Sequence, residues 1–329
     1  MAMDYPYFSS RLVKEPFNNS LLLQTVWGKT WGMDNPVGRI RQVLVNRPVK
    51  TLSKLGEHYT SIESGPLLLN EIKGKPPASE APKPPEFALV QSQHNGLAAA
   101  LEREGIEVVY VEGNAEQWPE SIFTRDMAMM IPGGCILSRF ALYIRHGESR
   151  LAAQTLLQLG VPLLGCVQGT GLAEGGSFIM LDPRTAVVGR SERVNLEGIE
   201  QIRHILSHQQ IQLIVIDLPA SIIHLDEAFL MIDERKALVN MAYLPFWFLD
   251  ELHRRQIELL HADPRDPMLA INALAISPGK VLMSSEAVYT MELLSRQGID
   301  VIPINMSEIH KMGGGIHCCT LPLLRESLG

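Results

Sequence analysis

The 329-residue sequence has few cysteines, and their placement argues against a disulfide framework. The chain has four, and two of them, Cys318 and Cys319, are neighbours, which hinders a bridge between them. The other two, Cys135 and Cys166, lie in apolar segments. We therefore expect all of the cysteines to be reduced thiols.

Two further absences concern membranes and nucleic acids. No apolar run reaches the roughly 18 residues of a transmembrane helix, and the N-terminus lacks the charged and apolar segments of a secretion signal. A net charge of -7 without a Lys/Arg block argues against binding to nucleic acid or to an anionic membrane. We expect a cytoplasmic protein whose partner is a small molecule, and self-association into a homo-oligomer is left open.

The chain contains a repeated pattern. Hydrophobic residues make up 46% of the sequence, enough for a large core. Segments 127–140, 177–191, 228–242 and 273–285 each show two apolar strands around a tight polar turn, which is typical of a hairpin. Each is followed by a stretch with helical spacing and by another short strand. The repeating unit is therefore ββαβ.

A looser, fifth copy begins at residues 40–48 and continues through a predicted helix at 94–105 to a strand at 106–113. Repeats of this size pack around a common axis, because one unit cannot bury its apolar face alone. We expect one domain over residues 1–329, with 1–36 as an N-terminal extension. The Pro-, Lys- and Glu-rich stretch 50–86 predicts an exposed loop.

Four reactive residues occupy matching places in this repeat, in the connection between one unit and the next. They are Asp126, Glu174, His224 and Cys318, with separations of 48, 50 and 94 residues. The last gap spans about two units, so a further position is expected within "HADPRDPM" (261–268). Because equivalent connections of a pseudo-symmetric ring meet at one end of its axis, we expect these side chains to share one pocket.

Each of these residues also has a purely structural interpretation. Asp126 could cap a turn or pair with Arg125, "HLD" could be a capping feature, and the adjacent cysteines could be core thiols. Glu174 is flanked by small residues at the start of a strand, which favours a role in a site. Coincidence at equivalent places of the repeat favours the functional interpretation for the whole set.

The strings "SIFTRD", "EGG", "HLD" and "GGGIHCCT" occur in this order within the five units. From about residue 37 onward the chain resembles the guanidino-group-modifying enzymes of the pentein fold: arginine deiminases, agmatine deiminases, dimethylargininases and amidinotransferases. The resemblance implies a five-fold pseudo-symmetric α/β propeller of ββαβ units. It also implies that the residue after the histidine in "GGGIHC", Cys318, is the nucleophile and that Cys319 is a neighbour.

The chemistry of a guanidinium group fits these residue types. Asp126 and Asp226 can hold the cation through its N–H groups, and Glu174 can do the same while orienting His224. The thiolate of Cys318 can attack the central carbon. His224 can protonate the departing amine and then activate water. This scheme needs no cofactor and no metal, and the site lacks the CxxC or HxxxH spacing of a zinc site.

Two arginines bear on the substrate. Arg145 and Arg193 each lie 19 residues after an acid of the predicted site. By the resemblance, arginines at these places bind the α-carboxylate of an amino-acid substrate, which disfavours agmatine. The alternative is that each arginine pairs with a nearby acid, Glu148 or Glu192.

The sequence departs from the family pattern in places. Ser177 follows "EGG" where these families usually continue with Asp, and Glu120 adds a negative group of unassigned role. Arginine deiminases carry an extra helical domain for which this chain has no room. Dimethylargininases generally lack an acid at the position of Asp226, which suggests a substrate with an unsubstituted nitrogen.

We therefore expect a cysteine-dependent hydrolase that cleaves a C–N bond in the guanidino group of arginine or a close carboxylate-bearing analogue. The reaction would pass through a covalent thiouronium intermediate. One alternative is an amidinotransferase, which passes the amidino group to an amine acceptor. A more remote alternative is a binding factor of the same fold that has no catalytic cysteine.

Overall fold

A computed structural model of the protein describes residues 12–54, 66–68 and 84–328. Its strands form five small sheets of three strands each. The strands are β1 (Ile40–Val45), β2 (Glu107–Tyr110), β3 (Ala128–Ile131), β4 (Gly134–Leu137), β5 (Leu163–Cys166), β6 (Phe178–Asp182), β7 (Thr185–Arg190), β8 (Gln212–Asp217), β9 (Phe229–Asp233), β10 (Lys236–Val239), β11 (Glu258–His261), β12 (Leu274–Ser277), β13 (Lys280–Ser284), β14 (Asp300–Ile304) and β15 (Leu321–Arg325).

The helices alternate with the sheets. They are α1 (Ser20–Trp27), α2 (Phe87–Arg103), α3 (Glu148–Gln158), α4 (Leu196–Ser207), α5 (Phe246–Arg254), α6 (Val288–Arg296) and α7 (Ser307–His310). Helices α2 to α6 each connect the second strand of a sheet to its third strand. Within α4, the buried residues Ile199, Ile202 and Leu206 recur at helical spacing and face the core, while Asn195 caps the first turn by accepting from the backbone N–H of Gly198 at 2.9 Å.

All five sheets share one topology. The sheets are β3-β4-β5, β6-β7-β8, β9-β10-β11, β12-β13-β14 and β15-β1-β2. In each, the middle strand is antiparallel to the first strand and parallel to the third. Contacts between β15 and β3, between β3 and β6, and between β9 and β12 place the first strands side by side around the axis. The predicted five-fold pseudo-symmetric α/β propeller of ββαβ units is confirmed.

The unit that contains β1 and β2 differs from the expected order, because its three strands are not consecutive in the chain. The first sheet takes its first strand from the C-terminus, because β15 pairs antiparallel with β1 from Ile40↔Arg325 to Leu44↔Leu321. The repeat starting at residue 40 looked loose because its hairpin partner lies 285 residues away in the chain. This pairing closes the ring and brings the segment before β15, which contains Cys318, next to the connections of the other units.

The N-terminal extension packs against this closing strand over the part that is described. Helix α1 is capped by Asn19, which accepts from the backbone N–H groups of Leu21 and Leu22, both at 3.1 Å. Trp31 is buried, and the N–H of Gly32 donates to the carbonyl of Leu323 at 3.0 Å.

Most of the loop predicted at 50–86 lies outside the described residues. At its start, Lys50–Lys54 forms a short 3-10 helix in which Leu52 is fully buried. The backbone N–H groups of Leu67 and Leu68 donate to the carboxylate of Glu192 at 2.7 and 3.2 Å. The single-domain boundary of 1–329 stays a prediction. No helix of the described part has both the length and the apolar character needed to cross a bilayer.

Candidate active site

The predicted reactive residues lie in equivalent connections, just before the first strand of a unit. Four of these connections contain a short 3-10 helix: Thr124–Met127, Gly175–Ser177, Leu225–Glu227 and Met268–Ile271. Asp126 and Asp226 lie within such turns, and Glu174 and His224 directly precede them. Cys318 lies shortly before β15 in the fifth connection. The ring closure therefore brings side chains from distant parts of the sequence into one buried cluster.

His224 lies between two carboxylates. Its Nε2 is 2.8 Å from Oε2 of Glu174, and its Nδ1 is 3.6 Å from Oδ1 of Asp126. Burial by itself would lower the pKa of His224, but the charges of Asp126 and Glu174 and the hydrogen bond to Glu174 outweigh it and raise that pKa to about 9. His224 is therefore an imidazolium at neutral pH and can act as a proton donor.

The backbone holds this arrangement in place. Oε1 of Glu174 accepts from the N–H of Ala141 at 2.9 Å, so its two oxygens have separate partners. Oε1 of Glu227 accepts from the N–H groups of Ile223 and His224 at 3.0 and 2.9 Å, which fixes the turn that carries the imidazole. Both ends of the Glu174–His224 pair are thus anchored to the main chain.

The second glycine of "EGG" makes room for this cluster. A Cβ atom on Gly176 would lie 2.7 Å from Oδ1 of Asp126 and 2.9 Å from Nδ1 of His224. The N–H of Gly176 donates to the same Asp126 oxygen at 3.0 Å. A larger residue would push the two side chains apart, so this position needs glycine because of close approach.

Arg145 forms a buried ion cluster. Its Nη1 is 2.6 Å from Oδ2 of Asp126, and its Nε and Nη2 are 2.9 and 2.8 Å from the oxygens of Glu148. Glu120, whose role the sequence left unassigned, lies 3.8 Å from Nε of Arg145. The structure therefore shows the pairing with Glu148 that the sequence offered as an alternative, and it adds Asp126 to that pairing.

Arg193 is also buried, in the turn that follows β7. Its Nη2 is 3.8 Å from Oε1 of Glu192, the acid that the alternative interpretation named. In the same turn, the hydroxyl of Ser191 donates to the carbonyl of Ile223 at 2.5 Å, which links this turn to the residue before His224. The binding of a substrate carboxylate by Arg145 and Arg193 stays a prediction.

Cys318 contacts one residue that the sequence analysis missed. Nδ2 of Asn272 lies 3.1 Å from Sγ of Cys318, and the N–H of Cys318 donates to Oδ1 of Asn272 at 3.2 Å. Asn272 directly follows the turn Met268–Ile271, so it occupies the position that we had expected within 261–268. That expectation was wrong by a few residues. The separations of 48 and 50, applied once more to His224, would have pointed to 272–274.

The thiol of Cys318 lies in a strongly acidic environment. Its Sγ is 3.8 Å from Oδ2 of Asp226. Burial raises the pKa of Cys318 well above its ordinary value, and the charges of Asp226 and Asp126 raise that pKa further. Cys318 is therefore a neutral thiol when no cation is bound. A cation placed against these carboxylates would oppose their effect and favour the thiolate.

His317 and Asp226 form a hydrogen-bonded pair beside the thiol. Nδ1 of His317 is 2.7 Å from Oδ2 of Asp226. Burial and the charges of Arg125 and Arg325 hold the pKa of His317 well below its ordinary value, so it is a neutral donor. Burial raises the pKa of Asp226 to about 7, with Asp126 raising it further and His224 and Arg125 opposing the rise.

Two buried polar atoms of the site lack a hydrogen-bond partner among the described residues: Oδ1 of Asp226 and Oγ of Ser177. Asp126, Glu174 and His224 offer ligand atoms that all lie within 4.8 Å of one another, so these three could hold a cation. A metal bound through Nε2 of His224 would have to replace the 2.8 Å hydrogen bond to Glu174.

Comparison with known proteins identifies relatives and solved structures that resemble this chain. A dimethylarginine dimethylaminohydrolase from Pseudomonas aeruginosa is 23% identical over 72% of this chain and 89% of its own length. A 2-nitroimidazole nitrohydrolase from a Mycobacterium species is 27% identical over 92% of this chain and 84% of its own length. The solved structure of an inosamine-phosphate amidinotransferase from Streptomyces griseus superposes with a TM-score of 0.71 at 16% identity, over 91% of this chain and 97% of that one, and shows the same fold.

A family model described as N,N dimethylarginine dimethylhydrolase, eukaryotic, matches residues 86–325, which contain every predicted site residue. The chain therefore belongs to this family, within the pentein superfamily of guanidino-modifying enzymes.

Proposed function

We propose that the protein is a cysteine-dependent hydrolase that cleaves a C–N bond in the guanidino group of arginine or a close carboxylate-bearing analogue. The observation that carries this proposal is the burial of one thiol, one imidazolium and three carboxylates in a single cluster. These residues are Cys318, His224, Glu174, Asp126 and Asp226, all at most 8% exposed. Such a cluster has excess negative charge, and a guanidinium is a cation that matches it in charge and hydrogen-bonding capacity.

Substrate binding would use the carboxylates of Asp126 and Asp226. Oδ1 of Asp226 has no hydrogen-bond partner among the described residues and can accept from a guanidinium N–H. Oδ2 of Asp126 is bound to Arg145 at 2.6 Å, so a substrate that takes this oxygen replaces the arginine. Arg145, once displaced, and Arg193 would then hold the substrate carboxylate.

The first half-reaction forms a bond from sulfur to the central guanidino carbon. The bound cation offsets the charges that raise the pKa of Cys318, so the thiol releases its proton to solvent and the thiolate attacks, giving a tetrahedral adduct. As the C–N bond breaks, His224 donates its proton to the departing amine. The amine leaves, and a thiouronium group stays on the sulfur. Asn272, 3.1 Å from Sγ, positions the nucleophile during attack.

The second half-reaction returns the thiol. His224 is now neutral, and it takes a proton from a water molecule that attacks the thiouronium carbon. The C–S bond then breaks and the sulfur leaves as thiolate, while the added hydroxyl becomes the carbonyl of a ureido group. The proton that this hydroxyl loses returns the thiolate to the thiol. Glu174 keeps the imidazole oriented throughout through its 2.8 Å hydrogen bond. Cys318, His224 and Glu174 are thus the proposed catalytic residues.

A substrate panel tests this proposal. The purified protein would be incubated with arginine, N-methylated arginines, agmatine and 2-nitroimidazole, and the ureido, amine and nitrite products would be measured. We expect turnover of a carboxylate-bearing guanidine and none of agmatine, with Cys318→Ser as the inactive control. Turnover of 2-nitroimidazole alone would contradict the guanidino assignment, while absence of any turnover or sulfur adduct would contradict the hydrolase assignment.

Transfer of the amidino group to an amine is the alternative outcome, because it also passes through a thiouronium on the sulfur. The two reactions differ in the leaving group and in the acceptor: the hydrolase expels a terminal nitrogen and then uses water, whereas the transferase expels ornithine and then uses an amine. Adding glycine or another amine to the arginine reaction separates them: a hydrolase continues to form the ureido product, whereas a transferase forms a new guanidino compound and releases ornithine only when the amine is present.

A further inference from the structure

A small cavity lies on the axis of the ring, outside the cluster that holds Cys318 and His224. Its volume is about 20 Å³, and residues from all five units line it. Apolar residues of β6, β9 and β12 line it, together with Met33, Pro36 and Ala273. Three basic residues complete it: Arg125, His317 and Arg325. We refer to this space as the axial cavity.

Two guanidinium groups of the axial cavity have unused donors. Arg325 donates to the carbonyls of Gly38 and Ala275 at 2.6 and 2.8 Å, but its Nε has no partner in the described structure. Arg125 donates from Nε to the carbonyl of His317 at 3.3 Å, and its Nη2 likewise has no described partner. Both residues are more than nine-tenths buried: Arg325 is 8% exposed and Arg125 is 4% exposed.

The charges of these two arginines are also uncompensated at short range. Among the described residues, no carboxylate lies within 4.0 Å of either guanidinium. Burial lowers the pKa of Arg125 to about 10, although the charges of Asp226 and Asp126 oppose the fall, and burial together with the charge of Arg125 lowers the pKa of Arg325 to about 9. Both stay protonated at neutral pH. Burying a charge without a counter-charge is costly, and burying two like charges on one cavity is more so.

We propose that the axial cavity binds one small monovalent anion, of the size and charge of chloride, between Arg125 and Arg325. The cavity volume of about 20 Å³ exceeds the space of about 10–15 Å³ that a single water-sized particle needs, and it is too small for sulfate or phosphate. An anion accepts from both unused N–H groups and also places a negative charge in contact with the two guanidinium groups. A water molecule can accept these hydrogen bonds but brings no charge.

The surroundings favour an anion over a cation or a larger ligand. None of the described residues that line the axial cavity is acidic, so an anion meets no like charge at its wall. Asp226 and Asp126 act on Arg125 from outside this wall. Asp226 also contacts the wall residue His317, whose Nδ1 lies 2.7 Å from that carboxylate. This inference uses neither the substrate nor the reaction proposed above, and it can fail or hold without them.

Thermal unfolding of the full chain provides the first test. Sodium chloride would be titrated against sodium gluconate at constant ionic strength, because gluconate is too large to enter the axial cavity. We expect a saturable rise in Tm of about 2–4 °C with chloride, as for a ligand that binds only the folded state. An equal Tm in both salts at every ratio would overturn the proposal.

Variants distinguish this site from general salt effects. Arg325→Gln removes one of the two cavity cations and should abolish the saturable rise. Arg255→Gln is the matched control, because Arg255 is a part-exposed arginine with its own ion pairs to Asp182 and Glu251. The Arg255→Gln variant should keep the saturable rise in Tm with chloride. If Arg325→Gln does not fold, Ala273→Val narrows the cavity while both arginines remain, and it should also lose the rise. Persistence of the rise in the folded variant would overturn the proposal.

Anomalous scattering from bromide can locate the anion in the axial cavity directly. Crystals of the full-length protein grown or soaked in sodium bromide should show one anomalous peak between Arg125 and Arg325. An ordered water at that position, with bromide bound elsewhere in the same crystal, would show that the cavity holds solvent rather than an anion and would overturn the assignment.

Discussion

Two neighbouring buried regions of this protein carry opposite charge although the same stretches of chain build them. The acidic cluster comprises Asp126, Glu174, His224 and Asp226, and it faces Cys318. The axial cavity is lined by Arg125, His317 and Arg325. Adjacent residues thus serve different regions: Asp126 follows Arg125, and Cys318 follows His317.

This comparison shows how a ring of short connections separates charges. Successive residues in a turn or an extended segment direct their side chains differently, so one connection can supply one charge to each region. The carboxylates and the thiol collect in one cluster, where Arg145 pairs with Asp126, and the guanidinium groups of Arg125 and Arg325 collect on the axis. His317 joins the two regions, because it lines the cavity and hydrogen-bonds to Asp226.

The largest expected effect separates the two adjacent thiols. Cys318→Ser should reduce turnover by at least about a thousandfold, because a hydroxyl is a much weaker nucleophile at neutral pH. Cys319 is fully buried, and Cys319→Ser should keep most of the activity. Steady-state kinetics on a guanidine substrate, with thermal melts to verify folding, would check both. The opposite pattern would place the nucleophile at Cys319.

A smaller loss is expected when the imidazole of the acidic cluster is replaced. His224→Gln removes the proton donor and the base that activates water, which should lower turnover by about 10²–10⁴-fold. Because the second half-reaction also slows, the thiouronium adduct should accumulate on the enzyme. Intact-protein mass spectrometry followed by mapping of the tryptic peptide 312–325 would detect it. An adduct on a peptide without Cys318 would refute the proposed intermediate.

The distance between Asp126 and His224 in the acidic cluster can be tested by adding one methyl group at Gly176. Gly176→Ala would bring a Cβ to 2.7 Å from Asp126 and 2.9 Å from His224, so these side chains must move. We expect turnover to fall by about tenfold to a hundredfold, since small displacements of catalytic groups are costly. Gly96→Ala, at an exposed helical position with nothing within 4 Å, is the control and should stabilise slightly. Equal turnover by Gly176→Ala and the wild type would show that the acidic cluster tolerates the displacement.

The smallest effect concerns the pH dependence of stability at the junction of the two regions. Burial raises the pKa of Asp226 from 3.8 to about 7, so the folded state holds this proton more tightly than the unfolded state. The wild type should therefore lose stability relative to Asp226→Asn as pH rises from about 4 to about 7, and the difference should be constant at higher pH. Urea unfolding of both proteins across this range would measure it. A difference independent of pH would mean that the carboxyl titrates normally.

Part of the fold was predictable because hairpins and amphipathic helices are local patterns. Four of the five units were recognised from segments of about 15 residues, where apolar spacing and turns such as "SPGK" determine the structure. Gly279 in that turn adopts a φ of 69°, which the hairpin requires. The strand order of the first sheet was not predictable in this way, since β1 pairs with β15 across nearly the whole chain.

The candidate site was predictable where chemistry and repeat spacing coincided. Asp126, Glu174, His224 and Cys318 are reactive residue types at equivalent positions, and the structure brings them together. Asn272 was missed because an uncharged amide in an apolar segment carries no such signal. The repeat spacing points to its position, and its two contacts with Cys318 show that this residue belongs to the cluster.

The sequence by itself determined the ββαβ repeat and the excess of carboxylates, because both depend on residue type and local order. Only the tertiary structure decided that Arg145 pairs with Asp126 as well as Glu148, and that Arg125 and Arg325 share one cavity. Arg125 and Arg325 lie 200 residues apart, and the ring brings them together when β15 closes the first sheet. Ring closure joins segments that no local pattern relates, so the neighbours of a buried charge follow from the packing of all five units.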